Sequence, residues 1–281
     1  MRPTAPNHGV VEMHFEHSPS GPTLLRHLYR KAPTIVQQAL YFDEQLPHLP
    51  CVYILSSGGP NIEGDRYSVE VELADGAMAH ISTGAATQIG TMEGGEVETK
   101  QRFRLGQRAY LEWMPKELIP CSGARYNSTT EITIHPSAAL FYSEVVACGR
   151  LHSGECFDYE SLSLSVQLAT TSGRVFARDA VRLEPQFRAP SEWALMCNFT
   201  HFATAIIVAP SEITTQLYSQ ILPISECNLR LSVARMVEGR GLIVRFLGQS
   251  SQQLSAELRK VCSRLRIAVK GVPLPDEFAW R

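Results

Sequence analysis

No C-x-x-C pair occurs among the seven cysteines of this 281-residue chain, and their number is odd. That argues against a disulfide framework and against a structural thiolate zinc site. Charge of one sign is also missing. Twenty-six Lys and Arg against 28 Asp and Glu leave a formal net charge of −2, so no field draws the chain to nucleic acid or anionic lipid. No apolar run is long enough to span a bilayer, and the opening residues MRPTAPNHGVVEMHFEH lack the apolar centre of a secretion signal. The setting expected from these absences is reduced and cytoplasmic. P-loop, H-E-x-x-H and nucleophile-elbow patterns are absent as well.

What is present is an ordinary globular composition, 44% hydrophobic and 19% charged, on a chain long enough for a substantial core. Its organising stretch runs from Val52 to Gln88. Val52-Tyr53-Ile54-Leu55 reads as a buried strand, followed by the turn cluster Ser56-Ser57-Gly58-Gly59-Pro60-Asn61 and then Gly64-Asp65. Tyr67, Val69, Val71 and Leu73 then alternate with Ser68, Glu70 and Glu72, the period of a strand buried on one face. Asp75-Gly76 is a hairpin signal, with Ala77 to Thr83 as the return strand.

The same grammar repeats along the chain. Val10 to Phe15 is an expected edge strand; Leu24 to Tyr29 and Thr34 to Gln37 follow. Glu96 to Trp113 alternates, turns at Gly106-Gln107 and returns. Glu131 to Ile134, Ala139 to Val146 and Leu162 to Ala169 complete an all-β body over residues 1–190, stacked as a β-sandwich or β-helix-like fold, although no sequence repeat establishes a solenoid. After Pro190 the pattern changes. Thr204 to Val208 is a strand, and Ser211 caps an expected helix through Leu222 with Ile213, Leu217 and Leu222 inward. A hairpin turns about Glu238-Gly239. Gln252 to Ile267 is a second helix with Leu254, Leu258, Val261 and Leu265 on one stripe, and an extended tail carries Trp280. The fold class is therefore mainly β, with two C-terminal helices in an α+β portion, 191–281, packed on the body.

Candidate chemistry is sparse. Asp65 at the glycine corner fits an Asx-type turn, or else points into a polar passage. Glu144 interrupts an apolar strand, where a carboxylate costs several kcal/mol unless paired or wet. Arg150 is its expected partner, and a water-filled channel is the alternative. Asp179 poses the same question. Of the nine histidines only His14-Phe15-Glu16-His17 is dense, and on a strand His14 and Glu16 share a face that excludes His17. His80 and His201 read as satisfied core groups, and Cys148 and Cys156 as buried inert thiols.

Four motifs carry a family resemblance. They are Gly58-Gly59 with Gly64-Asp65 and then Ala85-Ala86-Thr87; Leu111-Glu112-Trp113-Met114-Pro115-Lys116-Glu117-Leu118-Ile119-Pro120; Glu144 to Arg150; and Gly154-Glu155-Cys156-Phe157. In that order, over about Leu24 to Leu183, they resemble the urease accessory protein UreD, called UreH in some bacteria. The resemblance implies a mainly β scaffold without catalysis. It would bind the urease apoprotein and link it to a helical, UreF-like accessory protein and a UreG-like GTPase. Nickel would be a transient cargo with no tightly bound cofactor, moving through an internal passage lined by Asp65, Thr87, Glu144 and Asp179. Two other readings stand beside it: an enzyme using a carboxylate pair such as Asp65 and Glu144 in a β-stack groove, and a plain protein-interaction module.

Overall fold

The computed structural model describes residues 6–18, 21–190, 192 and 196–275. Its elements begin with β1 (His8–His17), β2 (Thr23–Lys31) and β3 (Thr34–Val36). The central stretch contributes β4 (Cys51–Ser56), β5 (Arg66–Leu73), β6 (Met78–Thr83) and β7 (Thr87–Ile89). Then come β8 (Val97–Leu105), β9 (Tyr110–Trp113), β10 (Leu118–Pro120), β11 (Arg125–Ile134) and β12 (Ala139–Ala147). β13 (Ser161–Thr170) and β14 (Val175–Leu183) precede β15 (His201–Val208) and α1 (Ser211–Gln220). The chain closes with β16 (Ile224–Ser225), β17 (Leu229–Arg235), β18 (Gly241–Gly248) and α2 (Ser251–Lys270).

Two sheets take up these strands alternately. The first has the order β14-β13-β11-β8-β5-β1-β2, and the second β16-β17-β18-β15-β12-β9-β6-β4-β3, with β7 and β10 at its side. The hairpin expected about Glu238-Gly239 forms, with β17 antiparallel to β18, but those expected at Asp75-Gly76 and Gly106-Gln107 do not. β5 pairs in parallel with β1 and β8, while β6 pairs in parallel with β4 and β9. The Asp75-Gly76 corner therefore carries the chain from one sheet to the other, and Gly106-Gln107 does the same one coil later. Such corners stack. Gln107 N donates to Asp75 Oδ1 at 2.7 Å, and Arg108 N to Ser137 Oγ at 3.0 Å. Gly106 is needed there because a Cβ would stand 2.5 Å from Asp75 Oδ1 and 3.0 Å from its backbone nitrogen. The body is thus a two-sheeted, coiled stack of mainly parallel strands, as the β-helix-like reading expected. β1 is not an edge strand, because β2 covers its other side.

Side-chain parity explains the layers. On β12, Leu140 and Tyr142 face the first sheet and join the core between the sheets, while Phe141 and Val145 face the helices. A parallel strand covered on both faces reads as the continuous apolar run seen in the sequence. α2 lies on the outer face through Leu254, Leu258, Val261 and Leu265, all buried against the chain's own second sheet. Ser250 caps it by accepting from Gln253 N at 3.2 Å. α1 differs from expectation at both ends. Ser211 is its first residue rather than its cap, following Pro210. The backbone turns extended at Ile221, which is buried in place of Leu222, itself 69% exposed. Of the extended tail, 276–281 with Trp280 lie outside the described residues. Among the described residues no helix is long and apolar enough to cross a membrane.

Candidate functional site

At one end of the coil the sheets are joined by the tight corners just described. At the other end the connections are longer and carry β7 and β10, so the layers are not drawn together. A cavity of about 500 Å³ opens there between them. Its walls come from the first residues of the first sheet's strands, such as Tyr67, Thr99, Tyr126 and Leu164. Facing them are the last residues of the second sheet's strands, among them Leu55, Thr83, Trp113 and Glu144. Thr87 of β7 and Leu118 of β10 close one side. Three polar groups on this wall, Trp113 Nε1, Gln101 Oε1 and Ser128 Oγ, are buried without a hydrogen-bond partner. Buried donors and acceptors of that kind mark a place fit for water or a polar guest.

Glu144 is the acid of this cavity. Its parity with Leu140 and Tyr142 aims it between the sheets, and its carboxylate accepts from Tyr142 Oη at 2.5 Å. Tyr142 Oη in turn lies 3.1 Å from Thr130 Oγ1. Burial pushes the Glu144 carboxyl up to about 7. The Tyr142 hydroxyl opposes that shift, the Asp179 charge reinforces it, and Arg245 opposes it. Arg150 is not its partner. The chain leaves β12 at Ala147 and folds back, so that Arg150 Nε donates to Glu155 Oε2 at 2.9 Å. The cation near Glu144 is instead Arg245 of β18, brought alongside by the register Glu144–Thr204–Arg245 across three strands.

The four sequence candidates fall into two groups. Thr87 and Glu144 share the cavity wall. Asp179, on β14 of the first sheet, is ion-paired with Arg245, which also donates to Thr204 Oγ1, and it does not line the cavity. Asp65 is fully buried at the glycine corner. It accepts from Asn7 N at 2.7 Å and from Ile62 N at 3.0 Å, which ties backbone together as the turn reading expected, though through upstream and distant donors and not the i+2 amide of an Asx turn, while Tyr67 Oη reaches it at 3.4 Å from the cavity side. Asp65 and Glu144 therefore do not flank one groove. Among the described residues no three His, Cys, Asp or Glu side chains converge as a metal centre. His80 bonds Glu112 and His201 bonds Thr200, so both are satisfied core groups. Cys148 is buried as expected, but Cys156 is exposed.

A second polar centre escaped the sequence reading. Glu112, on the face of β9 opposite the cavity, accepts from Arg266 Nε of α2 at 2.8 Å, from Tyr110 Oη at 2.5 Å, and meets His80 Nδ1 at 2.7 Å. Arg266 also pairs with Asp43. Burial alone would push the Glu112 carboxyl up, yet His80, Arg266 and Tyr110 together hold it below its ordinary value. A signal was there: Arg266 falls four residues after Cys262 and eight after Leu258, on the apolar stripe of α2.

Comparison with known proteins covers nearly the whole chain. The family model described as UreD urease accessory protein matches residues 7–281. The chain belongs to the UreD family. Urease accessory protein UreD 2 of Brucella suis biovar 1 (strain 1330) is 36% identical over 274 residues, covering 96% of this chain and 90% of its own. Urease accessory protein UreD of Photorhabdus laumondii subsp. laumondii is 32% identical over 263 residues, covering 92% and 82%. A UreD of Yersinia pseudotuberculosis serotype O:1b matches to the same extent. UreD membership makes this chain a non-catalytic accessory protein in urease maturation, and urease components are its partners.

Proposed function

We propose that the chain is the scaffold through which nickel reaches the urease apoprotein, and that the inter-sheet cavity is part of the route. It binds the apoprotein and links it to a UreF-like helical protein and a UreG-like GTPase in the cytoplasm, with nickel as cargo and no resident cofactor. The observation that carries this reading is Glu144 on the wall of the cavity, which it shares with unpartnered Trp113 Nε1 and Gln101 Oε1. One carboxylate and scattered oxygen donors such as Thr87 attract a divalent ion without holding it, which is what transit requires. Asp179 and Asp65 act from outside the lining, Asp179 through the field at Glu144 and Asp65 by fixing Tyr67. The α2 stripe is already buried, so partner docking uses other surfaces.

The test compares Glu144→Ala with the parent chain by co-purification with urease subunits and the GTPase, followed by nickel analysis of the urease formed. Intact complexes with several-fold less nickel are expected. Normal nickel loading with Glu144→Ala removes the passage role and leaves an interaction module.

A further inference from the structure

Beyond the cavity, at the end of the strand that carries Glu144, two cysteines are brought side by side. Cys148 follows β12 directly, and the chain returns through residues 149–155 to Cys156. Phe157 N donates to the Cys148 carbonyl at 2.7 Å, which closes the loop on itself. Gly149, at φ +147°, lets the returning chain press close, and a Cβ there would stand 3.0 Å from the Glu155 carbonyl oxygen. The loop is held in this shape by the Arg150–Glu155 ion pair and by Ser122 N donating to Glu155 Oε2 at 3.1 Å. Cys156 is exposed and Cys148 is 1% exposed, and the backbone contacts Phe157–Cys148 and Gly149–Glu155 set the two residues opposite each other across the loop.

A third group converges on them. Tyr159 is buried, its ring packs edge-on against Phe157 at 6.4 Å, and its hydroxyl has no hydrogen-bond partner. Both sulfurs act on that phenol, since either thiolate's charge adds to the burial that pushes its ionisation up. A buried hydroxyl without a partner carries a cost.

We propose that Cys148 and Cys156 form a thiol–disulfide site, with Cys156 the attacking and Cys148 the resolving thiol, oxidised by a low-molecular-weight disulfide. The Cys156 thiolate attacks one sulfur of glutathione disulfide and expels one glutathione thiolate, leaving a mixed disulfide. The Cys148 sulfur then attacks Cys156 Sγ, expels the second glutathione thiolate and closes the internal disulfide. Two electrons pass from the cysteine pair to glutathione disulfide, and the two protons released are taken up by the two glutathione thiolates. Burial, and after it the neighbouring Cys156 sulfur, push the Cys148 thiol up to about 12. Closure fixes loop 149–155 covalently at the end of the strand that carries Glu144.

The reduced full-length chain is incubated with glutathione disulfide, alkylated, weighed intact and digested with trypsin, which cuts after Arg150 between the two cysteines. The expected product has lost two hydrogens and yields a disulfide-linked pair of peptides, one ending at Arg150 and the other beginning at Leu151. Cys148→Ser is expected to accumulate a glutathione adduct on Cys156, and Cys156→Ser to form no link. Exposed Cys227 reports simple adduct formation in the same sample. The proposal is overturned if the parent chain carries only a glutathione adduct on Cys156, or if the internal link joins other cysteines. The parent measurement decides the matter even if a variant fails to fold.

Discussion

Arg266, on the last turn but one of α2, and Glu112, in the middle of β9, lie 154 positions apart in sequence and meet at 2.8 Å with no exposure of either side chain. Their contact fixes the C-terminal helix to the coiled body from within. Replacing Arg266 with Met leaves Glu112 and Asp43 buried with their main cation gone, and a broken buried pair costs about 3–5 kcal/mol. A loss of that size in urea-induced unfolding is the expected outcome. A loss below about 1 kcal/mol would mean the network behaves like a surface pair.

Glu112, fully buried, and Glu144, half-buried on the cavity wall, titrate in opposite senses, and so do their effects on stability. Glu112 is held below its ordinary value, so it stabilises the fold above the unfolded pKa near 4.5 and that contribution is lost as pH falls through its folded value. Glu144 is raised to about 7, so its ionisation costs nothing below pH 4.5, costs progressively more from there to about 7, and has its full cost above. Glu144→Gln should therefore unfold later than the parent at pH 8, by at most about 3 kcal/mol, with the gain vanishing near pH 4.5. A variant that gains nothing at pH 8 would show that the carboxylate is already solvated through the cavity.

Leu258 tests where the α2 stripe is buried. It is 2% exposed against the second sheet, and Leu258→Ala should cost about 2–5 kcal/mol in the isolated chain. Thermal or chemical denaturation without any partner present is the measurement. An unchanged midpoint would mean that the stripe is covered by a partner instead.

Asp65 is expected to act on the backbone rather than in a passage. Asp65→Ala removes the acceptor for Asn7 N and Ile62 N, and each orphaned donor costs about 1–3 kcal/mol where it stays buried. Hydrogen exchange should accelerate at those two amides first. Unaltered exchange there, with lost nickel delivery, would place Asp65 in the route itself.

Sequence alone determined most of the strands, though not the short β7, β10 and β16, together with their buried faces, the stripe of α2 and the position of Glu144 as an acid in an apolar run. These follow from local periodicity, which records which way each side chain points. It also determined the family, because four motifs in order are a linear signal. Only the tertiary structure decided that Asp75-Gly76 turns between sheets and not within one, since an Asp-Gly corner serves either connection and alternation names a face without naming a neighbour. The same holds for partners. Arg150 was the nearest cation to Glu144 along the chain, but the strand ends before it, and the register of β12, β15 and β18 delivers Arg245 instead. Glu112 and Arg266 were each visible as a charge on an apolar face. That they answer each other depends on how a helix lies across a sheet, which is settled by packing over the whole core and not by any stretch of residues.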